Sequence, residues 1–314
     1  MAWQGIVPIV DLGQLSLAHA GDPSREEWLR VGKSVAEAFQ NIGFVYLKNH
    51  GVSETQVSSL VSSGSRFFAL DPKTKNKYPR NPEKQQGYVE VDREKFDPAN
   101  FKHELREAYD IKRSDGVFPD EEVPSLRRDA DALINTCKAL SLRILKAMAL
   151  GIGWGLDESF FVDTHREICL DNNASCMRLL HYPPVPESVP AEAIRCGAHT
   201  DYGTITLLFQ DEIGGLQVRD RQRQWVNADP VPGAILVNVG DILQFWTADK
   251  FIATEHRVLI PKEEKRMKVS RRSVVFFVHP DDPVLISPLD SSSTYPTVTA
   301  REHVLRRFRE TYTY

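Results

Sequence analysis

The sequence has little of what marks a secreted, membrane-spanning or nucleic-acid-binding protein. Its 314 residues include only four cysteines, none in a C-x-x-C pair, which argues against zinc ribbons and thioredoxin-like motifs. Its apolar runs stay far below the roughly 18 residues that a membrane span needs. The 39 Lys and Arg residues and 43 Asp and Glu residues give a net charge of -4, with no block of five or six like charges. The sequence therefore offers no electrostatic basis for binding nucleic acid.

These absences favour a globular protein in a reducing compartment. In a chain of this size, four cysteines without a pairing pattern are typical of free thiols. The N-terminal apolar run lacks a basic lead and is broken by Pro8 and Asp11, so it is not predicted to be a signal peptide. We therefore expect a cytoplasmic protein that binds no membrane, and nothing in the sequence indicates an obligate protein partner.

The first half of the chain has helical periodicity. Ser24 with Glu27 forms a capping-box pattern, after which apolar residues recur at helical spacing. Residues 79–120 are rich in Pro, Gly, Asn and charge and should form loops with short strands, and long loops of this kind are often functional. The predicted helices run from Ser24 to Ile42, from Ser53 to Phe68 and from about Ser125 to Leu150, with a buried strand at 44–47.

After about residue 170, short apolar runs alternate with turn residues such as Gly214-Gly215. Several short strands at this spacing suggest a sandwich or barrel. The candidate strands are 205–209, 216–218, 234–239, 242–245, 257–260 and 272–278. Because no flexible linker is evident, we expect one catalytic unit over 1–314, with a helix-rich region (1–170), a strand core (171–290) and a C-terminal helix (291–314).

Three H-x-[DE] motifs occur, beginning at residues 165, 199 and 279. Residues i and i+2 of a strand point the same way, so such a motif can place two ligands on one metal. Two histidines and one carboxylate on one face of iron leave three positions open. With nine histidines and 43 acidic residues, about one such motif is expected by chance, so the context decides.

The context favours the H-T-D motif at 199–201. It precedes a predicted strand, and His256 opens another strand about 55 residues later. His165 lies where a polar helix end or loop is expected, so a surface histidine is the simpler interpretation. The H-P-D motif at 279–281 suits a turn after the last strong strand, with only His303 downstream.

The run R-R-S-V-V-F-F-V at 271–278 indicates an anion site. By period-2 alternation Arg271, Ser273, Val275 and Phe277 share one face of this strand. An arginine aimed into a barrel is costly unless an anion pairs with it. A dicarboxylate supplies that anion and suits the guanidinium fork. The alternative is that both arginines face solvent at a strand end.

The chain resembles the isopenicillin N synthase-like branch of the 2-oxoglutarate/Fe(II)-dependent dioxygenases over nearly its whole length. The segments that carry the resemblance are V-P-I-V-D-L (7–12), G-F-V-Y-L-K-N-H-G-V (43–52), G-A-H-T-D-Y-G-T-I-T-L-L (197–208), N-V-G-D (238–241) continuing to E-H-R-V (255–258), and R-R-S-V-V-F-F (271–277). The resemblance implies a mainly β fold with flanking helices, in which 171–290 form a distorted double-stranded β-helix, or jelly roll.

The resemblance also assigns roles to residues. It implies that His199, Asp201 and His256 bind Fe(II), that Arg271 and Ser273 hold the distal carboxylate of 2-oxoglutarate, and that Tyr182 contacts the same cosubstrate. The chain departs from many relatives beside Tyr182, with Leu180 where they have Asn and His181 where they have an aromatic residue. His181 is then either a neutral core histidine or a polar group facing the pocket.

The substrate pocket is less defined by the sequence. Tyr202 and Phe277 are expected to line it, because both lie close to proposed site residues. Tyr88 is a further candidate, from the loop region in which relatives build part of their pocket. Phe96, Phe101 and Lys102 lie in the same region, where ordinary packing or surface positions are the simpler interpretation.

The implied reaction is oxidation of a small organic molecule with O2, by hydroxylation, desaturation or ring formation, while 2-oxoglutarate becomes succinate and CO2. One alternative is an Fe(II) oxidase of the same fold that does not use 2-oxoglutarate. Another is a non-catalytic binding module, although such a module has no need of all three metal ligands. The sequence does not identify the substrate.

Overall fold

The computed structural model of the protein describes residues 7–112, 116–190, 192–292 and 294–311. The strands found there are β1 (Ile9–Asp11), β2 (Phe44–Lys48), β3 (Gly87–Val89), β4 (His103–Glu104), β5 (Glu107–Ile111), β6 (Cys176–Tyr182), β7 (Ala193–Ile194), β8 (Cys196–His199), β9 (Ile205–Gln210), β10 (Leu216–Arg219), β11 (Trp225–Asn227), β12 (Ala234–Val239), β13 (His256–Val258), β14 (Arg271–Val278), β15 (Leu285–Ile286) and β16 (Val298–Thr299).

The helices include three long ones from the predicted helical segments. The helices are α1 (Arg25–Asn41), α2 (Glu54–Phe68), α3 (Pro72–Lys75), α4 (Ser125–Gly151), α5 (Phe160–Asp163), α6 (Asp241–Trp246), α7 (Glu264–Met267) and α8 (Ala300–Thr311), with a short 3-10 helix at Gly13–Leu15. None of those in the described part of the chain combines the length and apolar character that crossing a bilayer requires.

Two sheets form the core, as a jelly roll requires. The larger has the strand order β1-β2-β12-β9-β14-β6-β5-β3, and the smaller has the order β11-β10-β13-β8. Apart from the parallel pair β1 and β2, neighbouring strands of both sheets run antiparallel. The predicted jelly-roll core with flanking helices is therefore confirmed.

The helix-rich first part of the chain also completes the larger sheet. Its strands β1 and β2 extend the sheet beyond β12, and β5 and β3 extend it beyond β6. Residues from α1 and α4, such as Phe39 and Leu140, pack in the same apolar cluster as Val237 and Phe276 of the sheet. The two parts of the chain therefore share one core.

Side chains at the helix starts explain where α1 and α8 begin. Ser24 caps α1, since its hydroxyl accepts the backbone N–H of Glu27 at 3.2 Å. At α8 the hydroxyl of Thr299 accepts the N–H of Glu302 at 3.1 Å, while the Glu302 carboxylate accepts the N–H of Thr299 at 2.8 Å. The second pair is a reciprocal capping box.

Two predictions about the fold were wrong. The predicted strand 242–245 is helix α6, because a short apolar run fits either structure and periodicity alone does not separate them. His165, predicted at the surface, is fully buried. One ring nitrogen, Nδ1, lies 2.6 Å from the carbonyl oxygen of Phe161, and the other, Nε2, lies 2.8 Å from the hydroxyl of Thr204. Burial lowers the pKa of His165 to about 4, so the ring is a neutral structural link.

Candidate active site

Three potential ligand atoms meet at the ends of two paired strands. His199 ends β8, His256 begins β13 directly opposite, and Asp201 follows in the connection to β9. Asp201 Oδ1 lies 3.8 Å from His199 Nε2 and 3.7 Å from His256 Nε2. The three ligand atoms all lie within 4.8 Å of one another. These separations are too long for hydrogen bonds but fit three ligands placed about 2 Å from one shared ion.

Each of these side chains is oriented by further hydrogen bonds. His199 Nδ1 donates to Gly197 O at 2.9 Å, His256 Nδ1 donates to Thr254 O at 3.1 Å, and Asn238 Nδ2 donates to Asp201 Oδ2 at 2.7 Å. With the proton held on Nδ1, each imidazole presents the lone pair of Nε2. The sequence motif contains Asn238, but its role becomes visible only in the fold.

Burial and neighbouring charges set the protonation of the triad. Burial, and then the neighbouring His256, lower the pKa of His199 to about 3, so its imidazole is neutral near pH 7. Burial alone would raise the pKa of Asp201, but His256, His199 and the hydrogen bond from Asn238 outweigh it and lower that pKa. Neutral imidazoles and an ionised carboxylate are the forms that bind a divalent transition metal.

Gly203 and Gly240 allow the segment 201–204, the metal loop, to pack against the start of α6. A Cβ on Gly240 would lie 2.3 Å from the carbonyl oxygen of Gly203, which no side chain tolerates. Because the backbones approach this closely, the N–H of Asp241 donates to the carbonyl of Asp201 at 2.7 Å. The N–H of Ile242 donates to the carbonyl of Gly203 at 3.1 Å. The start of helix α6 thus fixes the position of the loop that carries Asp201.

Replacing Asn238 with Leu should weaken metal binding without unfolding the chain. The substitution keeps the side-chain size but removes the hydrogen bond that orients Asp201, and loss of such a partner typically costs about 10- to 100-fold in metal affinity. Titration of the purified variant with iron(II) under anaerobic conditions measures the change. Asn227→Leu, at an exposed position on β11, is the control, and equal affinities for both variants would contradict the assigned role.

A buried arginine lies in the same cavity as the triad. Arg271 is only 1% exposed, and it lines the cavity together with Ser273 and Tyr182. Its guanidinium has neutral acceptors: Gly214 O at 2.9 Å, Ser273 Oγ at 3.4 Å and Gln210 Oε1 at 3.4 Å. Among the described residues no carboxylate lies within ion-pair distance of it. A buried cation held only by neutral groups is costly, which fits a site that receives a carboxylate.

The neighbouring side chains separate the two arginines of the motif. The Tyr182 ring lies 4.7 Å from the Arg271 guanidinium, and β6 and β14 pair these two residues directly. Arg272 points to the opposite face of β14 and does not line the cavity. Of these two arginines, only Arg271 faces a ligand inside the barrel. His181, also on the outer face, lies 2.8 Å from Glu107 and does not face the pocket.

The cavity between the sheets holds about 1000 Å³ of empty space including its mouth, and it contains the whole triad. Tyr202 and Phe277 line it, where the sequence placed them. Tyr88, which was predicted to line the substrate pocket, does not line the cavity. The pairing of β3 with β5 directs Tyr88 into the helix-covered core, where its hydroxyl donates to Glu107 at 2.5 Å and its ring packs on Phe67.

Several cavity residues were not assigned to the pocket from the sequence, including Phe96, for which an ordinary packing or surface position was the simpler interpretation. The Phe96 ring stacks on His199 with ring centres 4.0 Å apart and planes within 7°. Phe308 reaches the cavity from α8 and lies edge-on to Tyr202. A charged wall comes from the loop region and from strands β5 and β6: its residues are Arg80, Glu94, Arg106, Asp110 and Arg178. Contacts between segments that are distant in the sequence bring these residues together.

The comparisons with known proteins agree with this geometry. A family model described as the 2OG-Fe(II) oxygenase superfamily matches residues 173–280, and a model described as the non-haem dioxygenase in morphine synthesis N-terminal matches residues 7–129. The 2-oxoglutarate-Fe(II) type oxidoreductase ppzD of Metarhizium rileyi is 33% identical over 280 residues, which cover 82% of this chain and 77% of that protein.

Two further similar proteins are informative about ligands. Proline hydroxylase buaE of Petromyces alliaceus is 32% identical, covering 81% of this chain and 82% of its own length. The crystal structure of a full-length Neurospora crassa protein, in complex with alpha-KG and thymine, superposes with a TM-score of 0.84 at 28% identity, covering 99% of this chain and 98% of that one.

The chain belongs to the 2-oxoglutarate/Fe(II)-dependent oxygenase family. It is a non-haem dioxygenase whose cofactors are Fe(II) and the cosubstrate 2-oxoglutarate. The donor set observed here, two oriented imidazoles and one carboxylate, fits the metal.

Proposed function

We propose that this dioxygenase oxidises a C–H bond of a small polar metabolite in the cavity between the sheets. The observation that carries the proposal is the pairing of two sites within one cavity. One is a cluster of two imidazoles and a carboxylate. The other is Arg271, a buried guanidinium with no carboxylate partner among the described residues. A dicarboxylate that binds a metal at one end and an arginine at the other matches both.

The residues of this chain then have distinct tasks. His199, Asp201 and His256 hold the iron, which supplies the activation of O2 when it is bound. Arg271 and Ser273 hold the distal carboxylate of 2-oxoglutarate, and Tyr182 packs beneath the Arg271 guanidinium. Aromatic side chains on the cavity wall, including Phe96 and Phe277, exclude water from the reacting groups.

The relatives support a small substrate without naming it. One is called a proline hydroxylase and another was crystallised with thymine, and both molecules are compact and polar. Hydroxylation, desaturation and ring formation all begin with removal of a hydrogen atom from carbon, so the reaction type depends on the bound molecule. We also infer a reducing, cytoplasmic location, which is supported by the four free cysteines.

The visible spectrum of the anaerobic protein tests this proposal. Iron(II) and 2-oxoglutarate added together should give a weak charge-transfer band from the chelated keto acid, and neither alone should give it. Succinate release in air then allows candidate substrates to be screened. If iron binds but no band forms at millimolar 2-oxoglutarate, the protein is an Fe(II) oxidase of the same fold that does not use this cosubstrate.

A further inference from the structure

The row of side chains on the inward face of β14 continues past the end of the strand to His279. Arg271, Ser273, Val275, Phe277 and His279 all line the cavity. Because side chains alternate along a strand, these residues form one row. At about 3.3 Å per residue, the row spans about 26 Å from Arg271 to His279. The sequence placed His279 in a turn because of Pro280, yet the imidazole is only 5% exposed.

His279 lies close to the metal loop. A Cβ on Gly203, two residues after the ligand Asp201, would lie 3.1 Å from both Cε1 and Nδ1 of the His279 ring. In the described part of the chain, Nδ1 has no hydrogen-bond partner. Burial lowers the pKa of His279 to about 3, so the ring is neutral. The site described above gives this ring no task.

The ring nitrogens of His279 are not equivalent. Nδ1 is enclosed against Gly203, where it meets no acceptor. Because Nδ1 has no acceptor within reach among the described residues, the tautomer with its proton on Nε2 avoids an unpaired buried N–H at Nδ1. The Nε2–H of the His279 ring is then the donor that a molecule in the cavity can use.

The carboxylates on the nearby wall are already engaged. Glu94 accepts from Arg106 at 2.6 Å and from Arg178 at 2.9 Å, and Asp110 accepts from Arg178 at 2.6 Å and Arg80 at 2.7 Å. Arg106 is 5% exposed, and its Nη2 has no partner among the described residues. The wall therefore retains donors rather than charged acceptors.

Phe277 supplies a flat surface beside this donor. Its neighbours on the strand, Phe276 and Val278, are fully buried, whereas the Phe277 ring is partly exposed and lines the cavity. Within the described chain its ring pairs with no other aromatic ring, and Arg178 lies 5.9 Å from its centre. A planar group is the natural partner for such a ring.

We propose that His279 and Phe277 form the substrate-recognition subsite, which takes a small planar ring that bears acceptor oxygens. The ring stacks on Phe277, and a carbonyl or carboxylate oxygen accepts the N–H of His279. This assignment rests on the proposed function and names its substrate class. His279 is a neutral hydrogen-bond donor here and not an acid or base.

Calorimetry with three probes of similar ring size tests the subsite. The protein is loaded anaerobically with iron(II) and 2-oxoglutarate, so that Arg271 is occupied. Thymine presents amide carbonyls, benzoate a carboxylate, and toluene no acceptor. We expect thymine or benzoate to bind at least about tenfold more tightly than toluene, since one satisfied buried donor is worth that factor. The stronger of the two binders identifies which acceptor the site prefers.

Variants assign the preference to the imidazole. His279→Leu should weaken the better acceptor probe about tenfold and leave toluene binding unchanged or tighter, whereas His279→Gln, which keeps a donor, should bind within about threefold of the parent. Phe277→Leu should weaken thymine, benzoate and toluene alike. His181→Leu, the same substitution on the outer face of the neighbouring strand, is the control.

Three results would overturn the subsite. They are parental affinities in His279→Leu, equal binding of toluene and the acceptor probes to the parent protein, and no binding of either acceptor probe up to about 10 mM. The charge-transfer band of iron and 2-oxoglutarate, recorded on the same samples, separates this failure from failure of the proposed function. That band should be the same in His279→Leu and in the parent.

Discussion

His256→Ala will abolish iron binding and reduce turnover by at least about a thousandfold, the largest effect expected for any single substitution in this chain. The substitution removes one of three ligand atoms that lie within 4.8 Å of one another. The two remaining ligands, His199 and Asp201, hold a divalent ion far more weakly than three ligands do. Iron content after desalting and succinate release measure the two effects.

A matched control exists on the neighbouring part of the fold. His181 is a largely buried histidine outside the ligand cluster, and its ring contacts Glu107. His181→Ala should retain iron at the parental level even if it lowers thermal stability. Iron retention by His256→Ala equal to that of His181→Ala would mean that the metal is held elsewhere.

Arg271→Met will raise the KM for 2-oxoglutarate by about 100-fold, equivalent to roughly 2.8 kcal/mol at 1.4 kcal/mol per decade. The size of the effect follows from a charge-assisted hydrogen bond made in a buried site, where water does not replace the lost partner. Initial rates of succinate formation over a range of 2-oxoglutarate concentrations give the KM. Arg271→Lys should recover part of the loss, because the charge remains while the fork geometry is lost.

The adjacent arginine supplies the comparison for that experiment. Arg272 carries the same charge one residue later but points to the opposite face of β14, outside the cavity. Arg272→Met should therefore leave the KM unchanged. Similar increases in both variants would show that the general positive charge of this strand, and not a specific contact, attracts the cosubstrate.

The H-T-D spacing has a direct geometric meaning for His199 and Asp201, whereas the family resemblance assigned His256 as the third ligand. An H-x-D motif at the end of a strand places two side chains together, and the strand that opens with His256 lies opposite in the same sheet. The alternation along β14 likewise placed Arg271, Ser273 and Phe277 on one face. For the H-T-D pair and for the row along β14, the information lies within a few neighbouring residues.

The remaining parts of the site depend on contacts between distant segments. Phe96 stacks on His199, and Arg106 and Arg178 meet across Glu94 only because β5 lies beside β6 in the sheet. His165 was misplaced because a local pattern does not report that a polar ring is buried through two specific hydrogen bonds. Tyr88 was misplaced because the direction of its side chain follows from the pairing of β3 with β5, which the local sequence does not reveal.

The single strand β14 limits how enzymes with this core can change their substrate. Because its side chains alternate with a period of two, adding or deleting one residue between Arg271 and Val278 would turn one end of the row out of the barrel. Cosubstrate binding would then be lost together with the old specificity. New substrate ranges are therefore accessible by replacing side chains at positions 277 and 279, and a mutant library that keeps the strand length should contain nearly all the active variants.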